Sequence, residues 1–347
     1  MKHSKQIKTV CAEYIWIDAD ENTRSKLKVL EFDIDYTPLV SDFSEWNFDG
    51  SSTGQAEGKD SDILIKPVSI YKNPFIEWCE SYLVMCQCLN KDGTVHKTNN
   101  RTKCVVTSSK CEASECLFGI EQEYIIFERN KKPYKWLENN EPGCGEQGPY
   151  YCSVGGDRAF GRKMSLKHLE YCIKAGLKIC GTNAEVMPSQ WEFQIGPLSA
   201  LEVSDQLWIA RYILNRISED FECYISYHPK PYKGDWNGSG GHTNFSTKLM
   251  REKGGLQFIK NACEKLAKTH KTHMKVYGRF NEERLTGLHE TSSINDFSWG
   301  ISDRGKSIRI PLNVNKDECG YLEDRRPSAN LDPYLVTEKI METVILT

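Results

Sequence analysis

Two glutamates in the segment GIEQEYIIF, Glu121 and Glu123, have a spacing that could do chemistry. Side chains alternate along a strand, so both acids share one face while Ile120, Tyr124 and Ile126 take the other. Alone, the pair also suits a half-exposed strand with solvated acids. The segment NAEVMPSQWEFQIG shifts the balance. Its single acids, Glu185 and Glu192, sit among Trp191, Phe193 and Ile195, and Glu192 shares a face with Gln194. A buried carboxylate has to be paired, hydrogen-bonded or metal-bound. Gathered carboxylates repel, and a divalent cation removes that penalty. An oxygen-rich set fits Mg²⁺ or Mn²⁺ and argues against structural zinc. His242 follows in GSGGHTNFS, where the glycines allow close backbone approach to a ligand. A lone histidine is more often a core or surface residue, so its reading as a ligand leans on the acids.

A second set is cationic. Arg279, Arg284, Arg304, Arg309, Arg325 and Arg326 fall in segments punctuated by glycine and serine, including RLTGLHETSS, DRGKSIRIP and YLEDRRPSAN. Any one of them could be surface decoration. Arginine forks bind phosphate and carboxylate bidentately, and phosphoryl transfer needs cations on the moving oxygens. Arg309 sits in the alternating stretch SIRIP, and Glu323 and Arg325 share a face if the chain there is extended. No GxxxxGK[ST] loop, dinucleotide fingerprint or kinase signature occurs. Carboxylates with arginines point to a metal-dependent phosphoryl-transfer or hydrolytic enzyme, and the residues alone go no further.

The elements needed to position these residues are of two kinds. Residues 12–18, 26–32 and 82–88 read as strands, the last with a turn at 90–93. The stretch WNFDGSSTGQAEG at 46–58 reads as a loop, and 97–110 as a polar interdomain connection. Further strands are expected at 119–127, 185–187 and 191–195. Helices are expected at 162–175, with Leu166, Leu169 and Ile173 on its apolar side and Gly176 ending it, and at 204–217 and 255–269. Residues 233–241 read as loop. The expected architecture is a small β domain followed by a larger α+β domain.

Bulk properties narrow the class. The 347 residues carry a net charge of -3 with pI near 6.3, which gives no nucleic-acid footprint. No run approaches the roughly 18 apolar residues of a membrane span. The N-terminal stretch MKHSKQIKTVCAEYIWID holds no hydrophobic run long enough for a secretory signal, so the 14 cysteines read as free thiols and the expected location is cytoplasmic.

In several long stretches taken in order, the chain resembles glutamine synthetases of the shorter eukaryotic type. These are WNFDGSS (46–52), FGIEQEY (118–124), GTNAEVMPSQWEFQIGP (181–197), WNGSGGHTNFST (236–247), RLTGLHETSSINDFS (284–298), SIRIP (307–311) and EDRRPSANLDPY (323–334). The resemblance runs from about residue 12 to the end. It implies an N-terminal β-grasp domain (1–96) and a catalytic domain (97–347). It also implies a decamer of two pentameric rings with active sites between subunits. The implied reaction joins ammonia to glutamate with ATP as co-substrate, through a γ-glutamyl phosphate. Two or three Mg²⁺ or Mn²⁺ ions would be held by Glu121, His242 and Glu323 on the ATP side, and by Glu123, Glu185 and Glu192 on the glutamate side. Arg284 and Arg325 would grip glutamate, with Asp235 and Trp236 at the same pocket. Arg304 would lie between glutamate and phosphate. Glu192, Asn244, Ser246, Arg304, Arg309 and Tyr321 would contact the nucleotide. Glu290 would close the site and help bind ammonium, while Asp49, supported by Ser52, would take its proton.

Four departures from the family pattern stand out. Leu117 replaces a usual tryptophan, Leu312 a usual arginine, Gly241 a common cysteine and Asp235 a frequent asparagine. None removes an implied ligand. A related ligase acting on bulkier amines would keep the metal and arginine sets but alter the ammonium pocket, and Asp49 with Glu290 favours ammonia. A non-catalytic relative has no reason to keep clustered like charges.

Overall fold

The computed structural model describes residues 6–136 and 147–347; the first five residues of the lysine-bearing N-terminal stretch lie outside it. An N-terminal β-rich domain precedes a larger α+β domain. By packing, one compact unit runs through Thr102 and includes Tyr171–Leu177 and Trp208–Tyr212; the other comprises Lys103–Glu170, Lys178–Leu207 and Ile213–Thr347.

The first unit carries β1 (Ile7–Ile17), β2 (Thr23–Asp33), β3 (Trp46–Asp49), β4 (Asp62–Lys72) and β5 (Glu80–Leu89), in the order β2-β1-β5-β4-β3. In this sheet β1 and β5 pair in parallel, and the other neighbours pair antiparallel. Val10, Ala12, Tyr14 and Trp16 alternate onto one face with Tyr82, Val84, Cys86 and Cys88 of β5. Trp16 stacks on Phe48 at 4.5 Å between ring centroids, which anchors β3 and the turn after it. The stretch expected as a loop from 46 therefore opens as an edge strand. Its polar residues Asn47 and Asp49 pair with Leu64 and Asp62, and edge strands need no continuous apolar run. Gly50 follows because a Cβ there would meet Ile63 Cγ1 at 2.5 Å.

The second unit begins in α1 (Arg101–Lys110), where a connection was expected. Only Cys104 and Thr107 are buried in it, so no apolar periodicity announces the helix. Next come β6 (Leu117–Glu128), α2 (Arg162–Ala175), β7 (Ile179–Ala184), β8 (Gln190–Leu198), α3 (Ala200–Asp220), β9 (Cys223–Ser226) and β10 (Gly241–Ser246). They are followed by α4 (Lys248–Arg251), α5 (Leu256–Lys268), α6 (His270–Met274), β11 (Trp299–Ile301), β12 (Ile308–Ile310), α7 (Leu312–Asp317), β13 (Leu322–Asp324) and α8 (Pro333–Met341). The sheet runs β11-β12-β13-β10-β6-β8-β7, with β9 pairing β6 off that path. Glu185 lies just beyond β7 rather than inside a strand. In α2 the buried side chains are Met164, Ser165, His168, Cys172 and Ala175, while Leu166 and Ile173 face outward. A polar stripe with small and sulfur-bearing members is thus the inner face. No helix among the described residues is long and apolar enough to cross a membrane. The cysteines among the described residues are free.

Strand β13 divides its work by alternation. Glu323 faces the cavity described below. Asp324 points the other way, accepting from Arg326 Nε at 2.8 Å and Nη2 at 2.6 Å and from Tyr277 Oη at 2.8 Å. Tyr277 in turn accepts from His273 Nδ1 at 2.6 Å, whose Nε2 faces Thr343 Oγ1 at 2.8 Å. Burial, helped by Arg326, pushes His273 down to about 3. The unfolded chain then binds a proton near pH 6.5 that the folded chain refuses. Stability should therefore fall as pH drops from about 6.5 and level off below about 3, by at most about 5 kcal/mol. Urea unfolding of the wild type and His273→Gln across that window checks this. The same slope in both would refute it.

Candidate active site

Strands β6, β8, β10, β12 and β13 present polar residues to one side of the large sheet, around a cavity of about 700 Å³. Its lining includes all six implied ligands, Glu121, Glu123, Glu185, Glu192, His242 and Glu323. It also includes Arg284, Arg304, Arg309, Arg325 and Glu290. Register explains the convergence. His242 pairs with Glu121 across β10 and β6, and Glu123 with Glu192 across β6 and β8. Arg309 pairs with Glu323 across β12 and β13.

His242 sits between two acid groups. Its Nδ1 lies 3.4 Å from Glu121 Oε2 and 3.7 Å from Glu323 Oε1, and its Nε2 lies 4.0 Å from Glu123 Oε1. One ligand atom each from Glu121, His242 and Glu323 falls within 4.8 Å of the others, and the same holds for Glu123, Glu192 and His242. Glu185 lines the cavity outside both groups and accepts from Asn183 Nδ2 at 2.8 Å. Burial, then neighbouring acids, pushes the Glu185 and Glu192 carboxyls well above the usual range. Burial does the same to Glu123, with Arg284 opposing it. Burial holds His242 well below its usual range, with Arg325 and Arg284 adding to it, so the ring is neutral and able to ligate. This donor set suits a divalent, oxygen-preferring cation, whose charge would reverse the cost of gathering these acids.

Backbone and second contacts fix the acids. Gly240 N–H donates to Glu123 Oε2 at 2.8 Å, and Gln190 Nε2 donates to the same oxygen at 3.2 Å. Gly240 has no room for a Cβ, which would meet Arg284 Nη2 at 2.6 Å and His242 Nε2 at 2.8 Å. Asn244 Nδ2 donates to Glu121 Oε1 at 2.8 Å, and Gln194 donates to Glu192 Oε1. Arg325 Nη1 donates to Glu323 Oε1 at 2.7 Å, while Arg309 Nε lies 2.6 Å from Glu323 Oε2 at an angle that makes no hydrogen bond. Arg284 Nη2 reaches His242 Nε2 at 3.0 Å and the Arg325 carbonyl at 3.0 Å. Arg325 Nε donates to the Arg304 carbonyl at 3.1 Å.

Beside this cavity lies a more apolar one of about 420 Å³, sharing Glu121 and Gln194 with it. Asn244, Ser246 and Tyr321 line it, with Leu117, Ile195, Pro197 and Arg251. Arg251 Nη1 donates to Ser246 Oγ at 2.9 Å. Leu117, standing where the family pattern has tryptophan, forms part of this wall. Gly241 is tighter than its departure from cysteine suggested, since a Cβ there would meet Leu331 Cδ2 at 2.2 Å. Leu312 opens α7.

Other implied residues stand apart from the cavity lining. Asp235 and Trp236 do not line it; their neighbours Asn237 and Gly238 do. Trp236 packs edge-on against Trp136 at 5.5 Å. Asp49 and Ser52 belong to the first unit. There Asp49 accepts from Ser51 Oγ at 2.7 Å, Ser52 Oγ at 3.0 Å and the Ser51 N–H at 3.0 Å. These hydrogen bonds, Ser51 first and then Ser61, hold its carboxyl down to about 2. Sequence reasoning missed Tyr151, Asn183, Asn237 and His289 in the lining. They carry no charge pattern, though Asn183, Asn237 and His289 lie inside quoted motifs. Glu290 and His289 both hold left-handed backbone, with φ of 59° and 54°. That geometry costs about 1 kcal/mol or more for each such residue and persists only where contacts enforce it.

Comparison with known proteins decides the family. The family model for the glutamine synthetase catalytic domain matches residues 100–346. The chain belongs to the glutamine synthetase family. Fungal glutamine synthetases align over nearly its whole length. That of Debaryomyces hansenii is 51% identical over 336 residues, covering 96% of this chain and 89% of its own. That of Saccharomyces cerevisiae is 50% identical over 335 residues, covering 96% and 89%. Among solved structures, apo GmaS without ligand matches with a TM-score of 0.75 at 17% identity, over 96% of this chain and 76% of that one. The cryo-EM structure of Plasmodium falciparum glutamine synthetase gives 0.74 at 18%, over 99% and 72%. These structures share the fold. Membership is of the eukaryotic type, and the chain is an enzyme, a glutamate–ammonia ligase dependent on ATP.

Proposed function

We propose that the chain makes L-glutamine from L-glutamate and ammonia through γ-glutamyl phosphate, releasing ADP and phosphate. The observation that carries this reading is one cavity lined by six candidate ligands and four arginines, adjoining an apolar cavity sized for a nucleotide base. Glu121, His242 and Glu323 would hold one Mg²⁺ or Mn²⁺, and Glu123, Glu185 and Glu192 another. Bound there, such cations would neutralise the acids and draw charge from phosphoryl oxygens. Asn244, Ser246 and Tyr321 would receive the nucleotide. Arg284 and Arg325 would hold glutamate by its carboxylates, and Arg304 and Arg309 would face the transferring phosphoryl group. The glutamate side-chain carboxylate attacks the terminal phosphorus of ATP, and ADP leaves. Glu290 would help bind ammonium and keep water from the acyl phosphate.

Asp49 would complete the ammonium pocket, supported by Ser52. Held near 2, its carboxylate acts first as a fixed negative charge. Ammonium has no lone pair, so one of its protons passes to Asp49 before neutral ammonia attacks the acyl carbon. Phosphate then leaves. Asp49→Ala should lower kcat/KM for ammonium by roughly 100-fold while leaving ATP- and glutamate-dependent acyl-phosphate formation in place. Glutamine and ADP assays with and without ammonium test both parts, and an unchanged glutamine rate rejects the role. No glutamine from the wild type with Mg²⁺ or Mn²⁺ rejects the function.

We also propose a cytoplasmic decamer of two pentameric rings, with Asp49 of one subunit serving the cavity of its neighbour. Mixed assemblies of Asp49→Ala and Glu323→Gln chains should recover activity if sites are shared. Recovery no greater than the sum of the separate variants counts against sharing.

A further inference from the structure

His289 lies in the cavity lining, next to Glu290, and its ring is held from both sides. Gln147 Nε2 lies 3.1 Å from His289 Nδ1. An amide NH₂ only donates, so Nδ1 accepts and the ring proton sits on Nε2. Nε2 faces Asp235 Oδ1 at 3.1 Å. Three separate stretches of chain meet at this one imidazole: residues 147–151, 233–238 and the loop 286–293. Each stretch lines the cavity, the first through Gly148 and Tyr151, the second through Asn237 and Gly238, and the loop through His289, Glu290 and Thr291.

We propose that Asp235, His289 and Gln147 form a clasp that fixes the loop 286–293 over the cavity, making Asp235 and His289 positioning residues for Glu290. The inference rests on reading the cavity as the ligase site. An exposed hydrogen bond contributes little by itself, and the Asp235 side chain is 90% exposed against 20% for His289. The backbone gives this pair its leverage. His289 and Glu290 are consecutive left-handed residues, a conformation that needs outside contacts to persist. Inside the loop, Thr291 Oγ1 donates to the Leu288 carbonyl at 2.8 Å and the Arg284 carbonyl at 3.2 Å, which anchors its far side. The Glu290 carbonyl receives only a long 3.4 Å contact from Arg325 Nη2. On the near side the imidazole adds to a long Leu288 N–H contact with Thr286 Oγ1 at 3.4 Å. Aspartate at 235, where the family pattern often has asparagine, adds charge to this contact.

The test is a double-mutant cycle. His289→Ala should lower kcat for glutamine about tenfold and raise the ratio of phosphate to glutamine above one, because the loop no longer excludes water. Asp235→Ala should do the same about threefold. Asp235→Asn, which keeps a hydrogen-bond acceptor, should recover most of that loss. The double alanine variant should match His289→Ala alone, since both changes remove one contact. Hydrogen exchange at the amides of 288–291 should quicken in either alanine variant without substrates. Additive losses, or unchanged exchange with a product ratio of one, overturn the clasp. A wild type that makes no glutamine overturns the ligase reading instead, while the exchange measurement still decides the clasp.

Discussion

Glu323→Gln is expected to lower glutamine formation by about 10³-fold, some 4 kcal/mol of transition-state stabilisation. Two guanidinium groups face this carboxylate. It is a candidate ligand with Glu121 and His242, it accepts from Arg325 Nη1 at 2.7 Å, and it lies 2.6 Å from Arg309 Nε. The amide keeps the shape but not the charge. It leaves two buried or half-buried guanidiniums facing a neutral group, one of which would grip glutamate and the other phosphate. The loss should therefore appear in three places: a higher Mg²⁺ or Mn²⁺ requirement, a higher KM for glutamate and a lower kcat. Steady-state kinetics across metal concentrations separate them. A loss under tenfold at saturating metal, in a variant that unfolds at the wild-type temperature, would refute the role.

Glu290→Ala is expected to uncouple ATP use from glutamine. The acyl phosphate is attacked by whichever nucleophile reaches it, so excluding water decides the product. Glu290 lines the cavity from a loop whose backbone is held in an unfavourable conformation, an arrangement that serves placement of a side chain better than stability. In the proposed role, removing the carboxylate would take away both a charge that attracts ammonium and bulk that closes the cavity. We expect glutamine formation to fall roughly 100-fold while glutamate-dependent phosphate release falls far less. The phosphate-to-glutamine ratio reads this directly, and a ratio that stays at one would exclude it. The same ratio in Asp49→Ala gives a contrast, because the role proposed for Asp49 is to handle the nucleophile rather than the barrier.

Period-two alternation made much of the site legible. It placed Glu121 with Glu123, Glu192 with Gln194, and Glu323 with Arg325 on common faces before any fold was known. Helix α2 was bounded correctly because Gly176 ends it in left-handed backbone. Its inner face was not, because the buried stripe includes Ser165, His168 and Cys172 while Leu166 and Ile173 point out. Apolar periodicity cannot find a face that buries polar atoms. The same limit hid α1, and the polar edge strand β3. Strand β4 escaped as well, since Lys66, Pro67 and Ser69 interrupt its apolar pattern around a bulge. In the site, charge drew attention to acids and arginines. Neutral partners such as Asn183 and Gln190 hold those acids in place, yet they give no signal in a sequence beyond proximity to one.

The position of His242 has a consequence for how cations fill the cavity. One ring stands in both candidate ligand groups, with a different nitrogen nearest each. A neutral imidazole has one lone pair to give, because its other nitrogen carries the proton. Were two cations bound, whichever took it would leave the other with oxygen donors alone. Glu185, outside both groups but lining the same cavity, would be the carboxylate available to make up the difference. The two occupancies would then be linked rather than independent. Filling one would change the affinity of the other, and by the same factor in either order.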